Sequence, residues 1–297
     1  MRFVRAAMLA PLLLLLGAGE NEILIGHVGS MTGSEATFGK STDQGIRLAF
    51  AEINAKGGVK GKKLVLKTLD SQGKPEQAQV SATQLIVNDK VTAILGEVAS
   101  SRSLAMAPVA DKYQVPMVTP ASTNPKVTLD QANKARRFVS RVCFIDPFQG
   151  TVMAKFAREN LKIDRVAVMR DVGNDYSVGL ADYFIQTFRE LGGQIVDDQS
   201  YKAGDQDFKA QLTTIKGKGP QAIYVPGYYT EVALIARQAR ELGIKAPLMG
   251  GDGWDSAKLF EIGGRALDGS YYSNHVAPDD PDPRTVFLKL RELRNKW

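Results

Sequence analysis

The chain has 297 residues, 44% of them hydrophobic and 24% charged, with a formal charge of +6. That length exceeds one ordinary domain and suits two, and the composition is that of a globular protein. Lys and Arg alternate with acids along the chain, which describes a solvated surface and argues against a nucleic-acid-binding stripe.

Arg2 and Arg5 precede an apolar run from Ala6 to Leu16, and Gly17-Ala18-Gly19 follow with small side chains. This is the order of a secretory signal peptide over 1–19. The run is too short for a mature membrane span, and no cysteine follows it to carry a lipid. Removal of that acid-free segment takes the charge from +6 to +4. Export permits disulfides, but Cys143 is the only cysteine and its neighbours are apolar, so it reads as a small buried hydrophobe.

From Ile23 onward strands and helices alternate. Ile23 to Val28 is an apolar run of the kind that parallel strands covered on both faces require. A helix with Ile46, Ala49, Phe50 and Ile53 on one face ends at Gly57-Gly58. Strands are expected at 63–69, 91–96 and 115–119, with helices from Pro75 and over 101–112 between them. Residues 138–144 read as a strand that joins two halves. The second half repeats the alternation, with strands at 165–169, 194–201, 222–225, 247–250 and 269–274. Its helices are expected over 147–161, 177–191, 208–215, 231–242 and 256–262, and a last helix over 285–296. Two βαβ series with right-handed crossovers predict two doubly wound parallel sheets, an α/β fold of two lobes joined by a strand-like hinge.

Several motifs point to chemistry that the residues do not supply. Gly33 to Thr42 follows a strand and opens a helix, as a phosphate loop does. Five residues separate its glycines where that loop needs four, and Glu35 would oppose a nucleotide. There is no Gly-x-Ser-x-Gly elbow. Cys143 and His275 both fall near the lobe junction, but packing explains each more simply than a catalytic pair. His27 lies in the first strand and reads as structural. No Cys/His cluster has zinc spacing. Asp279-Asp280-Pro281-Asp282 lacks the glycine and glutamate of a calcium loop and reads as an acidic turn. No catalytic residue, metal or cofactor is expected, and the chain does not read as an enzyme.

Loops after the strands carry a different pattern: Val98-Ala99-Ser100-Ser101, Thr119-Pro120-Ala121-Ser122-Thr123, Asp175-Tyr176, Gly227-Tyr228-Tyr229 and Gly250-Gly251-Asp252-Gly253. Ligands of open α/β sheets bind at the carboxyl ends of strands. Hydroxyls at a helix N-terminus can hold a carboxylate, aromatics can close over it, and one acid can hold a cation. Helix capping by Ser100 or Ser101, and a turn role for Asp252, are the plainer readings. Together the loops suit a small zwitterion.

The strings Gly29-Ser30-Met31-Thr32-Gly33, Ile53 to Gly61, Thr119 to Thr123 and Pro226-Gly227-Tyr228-Tyr229 resemble the branched-chain amino-acid-binding proteins of ABC importers, which are type I periplasmic binding proteins. The resemblance implies a ligand carboxylate held by Ser100 and Thr123, with backbone around Val98, Ala121 and Ser122. It implies second-lobe tyrosines at Tyr176 and Tyr228. Asp252 takes the place of a glutamate that binds the ammonium, and Phe38 the place of a tyrosine that lines the side-chain pocket. Gly73 and Ala99 stand where such proteins carry a disulfide. Trp254 has no counterpart and could alter ligand size. The implied organisation is lobe 1 over 20–141 and 275–297 and lobe 2 over 142–274, and the chain reads as shorter than its family at the C-terminus. The expected function is capture of a branched-chain or other aliphatic L-amino acid in the periplasm by a monomer that delivers it to a membrane permease. An amide, short carboxylate or aromatic acid is the alternative ligand, and a sensory ligand-binding domain the alternative role.

Overall fold

A computed structural model describes residues 21–276. The expected signal peptide, the Asp279–Asp282 turn and the helix over 285–296 lie outside the described residues.

The first half begins with β1 (Glu22–Gly29), α1 (Ala36–Ala55), β2 (Lys63–Asp70) and α2 (Pro75–Thr83). It continues with β3 (Ala93–Leu95), α3 (Ser100–Tyr113), β4 (Met117–Thr119) and β5 (Val139–Arg141). The second half runs α4 (Asp146–Lys155), β6 (Arg165–Asp171), α5 (Asp175–Glu190) and β7 (Gln194–Tyr201). It closes with α6 (Lys209–Lys218), β8 (Ala222–Tyr224), α7 (Tyr229–Glu241), β9 (Leu248–Gly250), α8 (Ala257–Gly263) and β10 (Tyr271–Tyr272). Each half forms a five-stranded sheet, in the orders β2-β1-β3-β4-β5 and β10-β9-β8-β6-β7. Every pairing within them is parallel.

Alternation along the strands explains why both sheets are sandwiched. Val166 and Val168 of β6 and Tyr224 of β8 enter one core of the second lobe. Ala167 and Met169 of β6, Ile223 of β8 and Leu248 of β9 enter another, with Phe208 and Trp254. Successive strand residues face opposite ways, so apolar residues at every position demand a helical layer on each side. The first lobe packs Val28, Ile94, Met117 and Val139 against Ala82 of α2, Leu85 of the helical turn that follows it, and Met106 of α3.

Helix ends follow local chemistry. Pro75 occupies the first turn of α2, where its missing N–H costs nothing. The Asn174 side chain caps α5 by accepting from the Tyr176 and Ser177 amides. Helix α1 begins ten residues before the apolar stripe that marks it in the sequence, because its first turns face the other lobe rather than a core.

The crossing between lobes is shorter as a strand than expected. Only Val139–Arg141 pair with β4; the Val142 amide adds a last bond to the Thr119 carbonyl at 3.2 Å, and Cys143 to Ile145 follow outside the strand. The partner strand stops at Thr119 because Pro120 has no N–H to offer.

The lobes stand closed on one another. On one side Thr230 Oγ1 donates to the Ser34 carbonyl at 2.9 Å, the Thr37 amide donates to the Tyr229 hydroxyl at 3.3 Å, and the Thr37 and Ser256 hydroxyls meet at 3.0 Å. On the other, the Asp175 amide donates to Ser101 Oγ at 2.9 Å and Asn124 Nδ2 donates to the Asp175 carbonyl at 2.8 Å.

Candidate ligand-binding site

A cleft of about 380 Å³ lies between the lobes at the carboxyl ends of both sheets. Its volume falls in the range of small-molecule sites. The first lobe contributes Val98 and Ser100 after β3, Pro120 and Ala121 after β4, and Thr37, Phe38, Ser41 and Thr42 from α1. The second contributes Tyr176 after β6, Tyr228 after β8, Asp252 and Gly253 after β9, and Asn274 and His275 after β10.

The first-lobe wall is a donor surface. Helix α3 starts at Ser100 and its N-cap, Ala99, has no side-chain cap. Amides of a first helical turn have no partner inside the helix and carry the positive end of its dipole. Ser100 is buried and accepts from the Asn124 amide at 3.2 Å, which leaves its O–H to donate. Thr123 is buried beneath this wall, and its Oγ1 has no hydrogen-bond partner among the described residues. Ser122, counted with the binding loop in the sequence, faces inward instead. Its hydroxyl meets the Glu97 and Val98 carbonyls and the Ser103 hydroxyl at 3.0, 2.9 and 2.7 Å, so its work is to tie two loops together.

The second-lobe wall is aromatic and acidic. Tyr176 and Tyr228 stack with centroids 5.3 Å apart and an interplanar angle of 16°. The Tyr176 hydroxyl accepts from the Gly253 amide at 3.0 Å. Burial, before any other influence, pushes both phenols well above their ordinary pKa, so they remain neutral. Phe38 reaches across from the first lobe to meet Tyr228 edge-on at 6.0 Å and Tyr229 at 5.1 Å. Tyr229 itself is buried against Phe38 rather than exposed at the cleft edge. Trp254 also turns away from the cleft. It is buried in the second-lobe core, where its indole N–H donates to the Val225 carbonyl at 3.0 Å, and Gly250 lacks a Cβ because that ring occupies the place.

Asp252 is held on three sides. Gln149 Nε2 donates to Oδ1 at 3.0 Å, Gln149 Oε1 accepts from the Asp252 amide at 2.7 Å, and His275 Nε2 lies 2.9 Å from Oδ2. Ser273 Oγ donates to Gln149 Oε1 at 2.8 Å and fixes that amide's orientation. The His275 ring stacks on Phe144 with centroids 4.1 Å apart. Gln149 and His275 as partners of Asp252 are absent from the sequence reading. They lie 103 and 23 residues from it, and the one available signal is an inward-facing amide in the first turns of α4.

Cys143 and His275 form no catalytic pair of the considered kind. Burial pushes the Cys143 thiol up to about 11 against the opposing pull of Arg141, so it is not a thiolate. The glycine-rich segment that mimics a phosphate loop is committed elsewhere. Glu35 is buried and ion-paired with Arg102. His27 is buried, with Nδ1 3.3 Å from Asp43, and burial holds its pKa down. Among the described residues no group of three His, Cys, Asp or Glu could hold a metal ion.

Asp146, at the start of α4, lies behind the cleft beside Thr123 and Tyr224. Its two carboxylate oxygens and the Tyr224 hydroxyl are buried without hydrogen-bond partners among the described residues. Burial pushes its carboxyl up to about 7, and the Asp252 charge adds to this. The Thr123 hydroxyl, near but outside bonding geometry, and Arg141 pull it down only in part. A carboxyl with a raised folded pKa contributes stability that is fully present below about pH 4 and is lost as pH rises through about 7. Asp146→Asn should remove that loss and raise stability near pH 8 by as much as about 4 kcal/mol relative to the parent. Urea melts at acid and alkaline pH measure it, and identical pH slopes in the two proteins would exclude Asp146 as the group responsible.

A family model described as "Periplasmic binding protein" matches residues 22–289. The chain is 36% identical over 253 residues to the Leu/Ile/Val-binding protein homolog 3 of Brucella melitensis, covering 85% of this chain and 67% of that one. Among solved structures it is similar to a leucine binding protein of Thermotoga maritima, with a TM-score of 0.87, 45% identity and coverage of 93% of this chain and 76% of the other. It is also similar to a branched-chain amino acid transporter substrate-binding protein of Streptococcus pneumoniae in complex with isoleucine, with a TM-score of 0.82, 31% identity, and coverage of 93% and 78%. The chain belongs to the periplasmic binding protein family.

Proposed function

We propose that this periplasmic binding protein captures a branched-chain or other aliphatic L-amino acid between its lobes and presents it to the membrane permease of an ABC importer. The observation that carries the reading is the opposition of two walls. A hydroxyl- and amide-bearing helix start at Ser100 faces a fixed carboxylate at Asp252 across an aromatic-lined cleft. A carboxylate at the first and an ammonium at the second match the two ends of an amino acid, and Phe38, Tyr176 and Tyr228 offer apolar surface to its side chain. The names of its relatives point the same way: the Thermotoga maritima protein is a leucine binding protein, and the Streptococcus pneumoniae protein was crystallised with isoleucine.

The ligand works as a bridge between lobes. Hydrogen bonds such as those of Thr37 and Thr230 to the opposite lobe form only on closure, and a ligand that contacts both walls shifts the population toward that state. The working compartment is the periplasm, entered through the signal peptide over 1–19, and the working species is a monomer. A thermal-shift screen of the exported protein against aliphatic amino acids, amides and aromatic acids tests the assignment. Stabilisation by leucine, isoleucine or valine is expected, since a ligand that binds only the folded state raises its melting temperature. Stabilisation by aromatic acids alone would transfer the site to the alternative ligand class.

A further inference from the structure

Asp252 has an imidazole partner of its own. His275 Nε2 lies 2.9 Å from Oδ2, and the two side chains are 30% and 9% exposed. Gln149 occupies Oδ1. The imidazole is packed through its ring, which stacks on Phe144 of the lobe crossing at an interplanar angle of 19°. His275 also lines the cleft itself. A donor that can carry charge therefore sits on the same carboxylate that a ligand ammonium would approach.

We infer that His275 sets how strictly the cleft demands an ammonium group, by serving as an internal donor to Asp252 when the ligand brings none. The inference rests on the amino-acid reading given above. A carboxylate enclosed by a closed cleft is costly if nothing pairs it. With His275 in place, a ligand that has a carboxylate but no amine leaves Asp252 bonded to His275 and Gln149, so the penalty is small. An amino acid adds its ammonium to a carboxylate already oriented by those two donors. Without His275, Oδ2 is paired only when the ligand supplies the ammonium, and amine-less acids are rejected more strongly. Charged and titratable groups facing this pair are Asp146 from α4, Cys143 from the crossing, and Tyr176 and Tyr228 from the second-lobe wall. Tyr224 of β8 also faces it, and none of these groups donates to Oδ2 in the described structure.

The test is the ratio of affinities for leucine and for 4-methylpentanoate, its deaminated analogue, measured by calorimetry on the exported protein. His275→Leu keeps an apolar contact with Phe144 and removes the donor; His275→Gln keeps a donor without the ring. The leucine preference should rise about tenfold or more in His275→Leu, the scale of one unmade bond to a charged group. It should stay within a few-fold of the parent in His275→Gln. The ratio is internal to each protein, so a change in the folded fraction cancels. If leucine binds the parent and the ratio is the same in His275→Leu, or rises equally in both variants, the inference is wrong while the amino-acid reading stands. If leucine fails to bind the parent at all, it is the functional reading that fails.

Discussion

Asp252→Asn is expected to weaken binding of leucine, isoleucine or valine by about ten- to a hundredfold, the equivalent of a charge-assisted hydrogen bond worth about 1.5–3 kcal/mol. The geometry shows why an amide is a poor replacement. Oδ1 and Oδ2 both accept in the native site, from Gln149 Nε2 and from His275 Nε2. An asparagine offers one acceptor and turns an N–H₂ toward the other donor. Gln149 cannot flip to relieve this, because its Oε1 already serves the backbone amide of residue 252 and the hydroxyl of Ser273. The variant loses the ligand's counter-charge and retains the fold of the loop, so binding of 4-methylpentanoate should be unchanged or improved. Calorimetric titration separates the two effects, and undiminished leucine affinity in Asp252→Asn would remove Asp252 from the site.

Arg102→Leu should cost about 3–5 kcal/mol of stability, the usual consequence of stripping a cation from buried carboxylates. Arg102 is buried in α3 between two acids. It is ion-paired with Glu35, and its Nε lies 3.2 Å from Glu97. Its Nη1 also donates to the Gly73 carbonyl at 3.0 Å. Burial pushes the Glu35 carboxyl upward and outweighs the pull of Arg102. For Glu97 burial acts in the same direction, but Arg102, the Ser71 and Ser30 hydroxyls and the Ala99 amide together hold it below its ordinary value. Removal of the guanidinium leaves both carboxylates without a cation, so the deficit should be largest above neutrality and should shrink in acid as they take up protons. Denaturant melts of the variant at two pH values measure this. A loss below about 1 kcal/mol would mean the network is solvated rather than enclosed. The network also links the two loops where the family resemblance places a disulfide, Gly73 through its carbonyl and Ala99 through its amide to Glu97.

How much of this was legible in the sequence depended on the range of the interaction. The parallel strands of the second lobe were readable because Val166, Ala167, Val168 and Met169 are apolar at successive positions, a local pattern with one structural solution. Helix ends marked by Pro75 and Gly192 were readable for the same reason. The start of α1 was not, since Thr37, Phe38 and Ser41 form no apolar stripe, and Thr37 and Phe38 meet the other lobe instead. The loops do follow strands, and Val98, Ser100, Ala121, Phe38, Tyr176, Tyr228 and Asp252 line one cleft, whereas Thr123, expected beside Ser100, is buried outside its lining. What spacing could not convey was side-chain direction. Ser122 and Trp254 are neighbours of cleft residues that point into a core, and Gln149 and His275 enter from elements remote in sequence. Glu35 in the phosphate-loop mimic is explained by Arg102, 67 residues away.

In the proposed function, Asp252 and the Ser100 helix start select the two charged ends of an amino acid. Calorimetric titration of the purified protein with leucine and with 4-methylpentanoate, under identical conditions, tests it most directly. Saturable one-to-one binding of leucine that is stronger than that of its deaminated analogue is the predicted result. Equal or stronger binding of 4-methylpentanoate would contradict it, because the Asp252 wall would then contribute nothing to recognition.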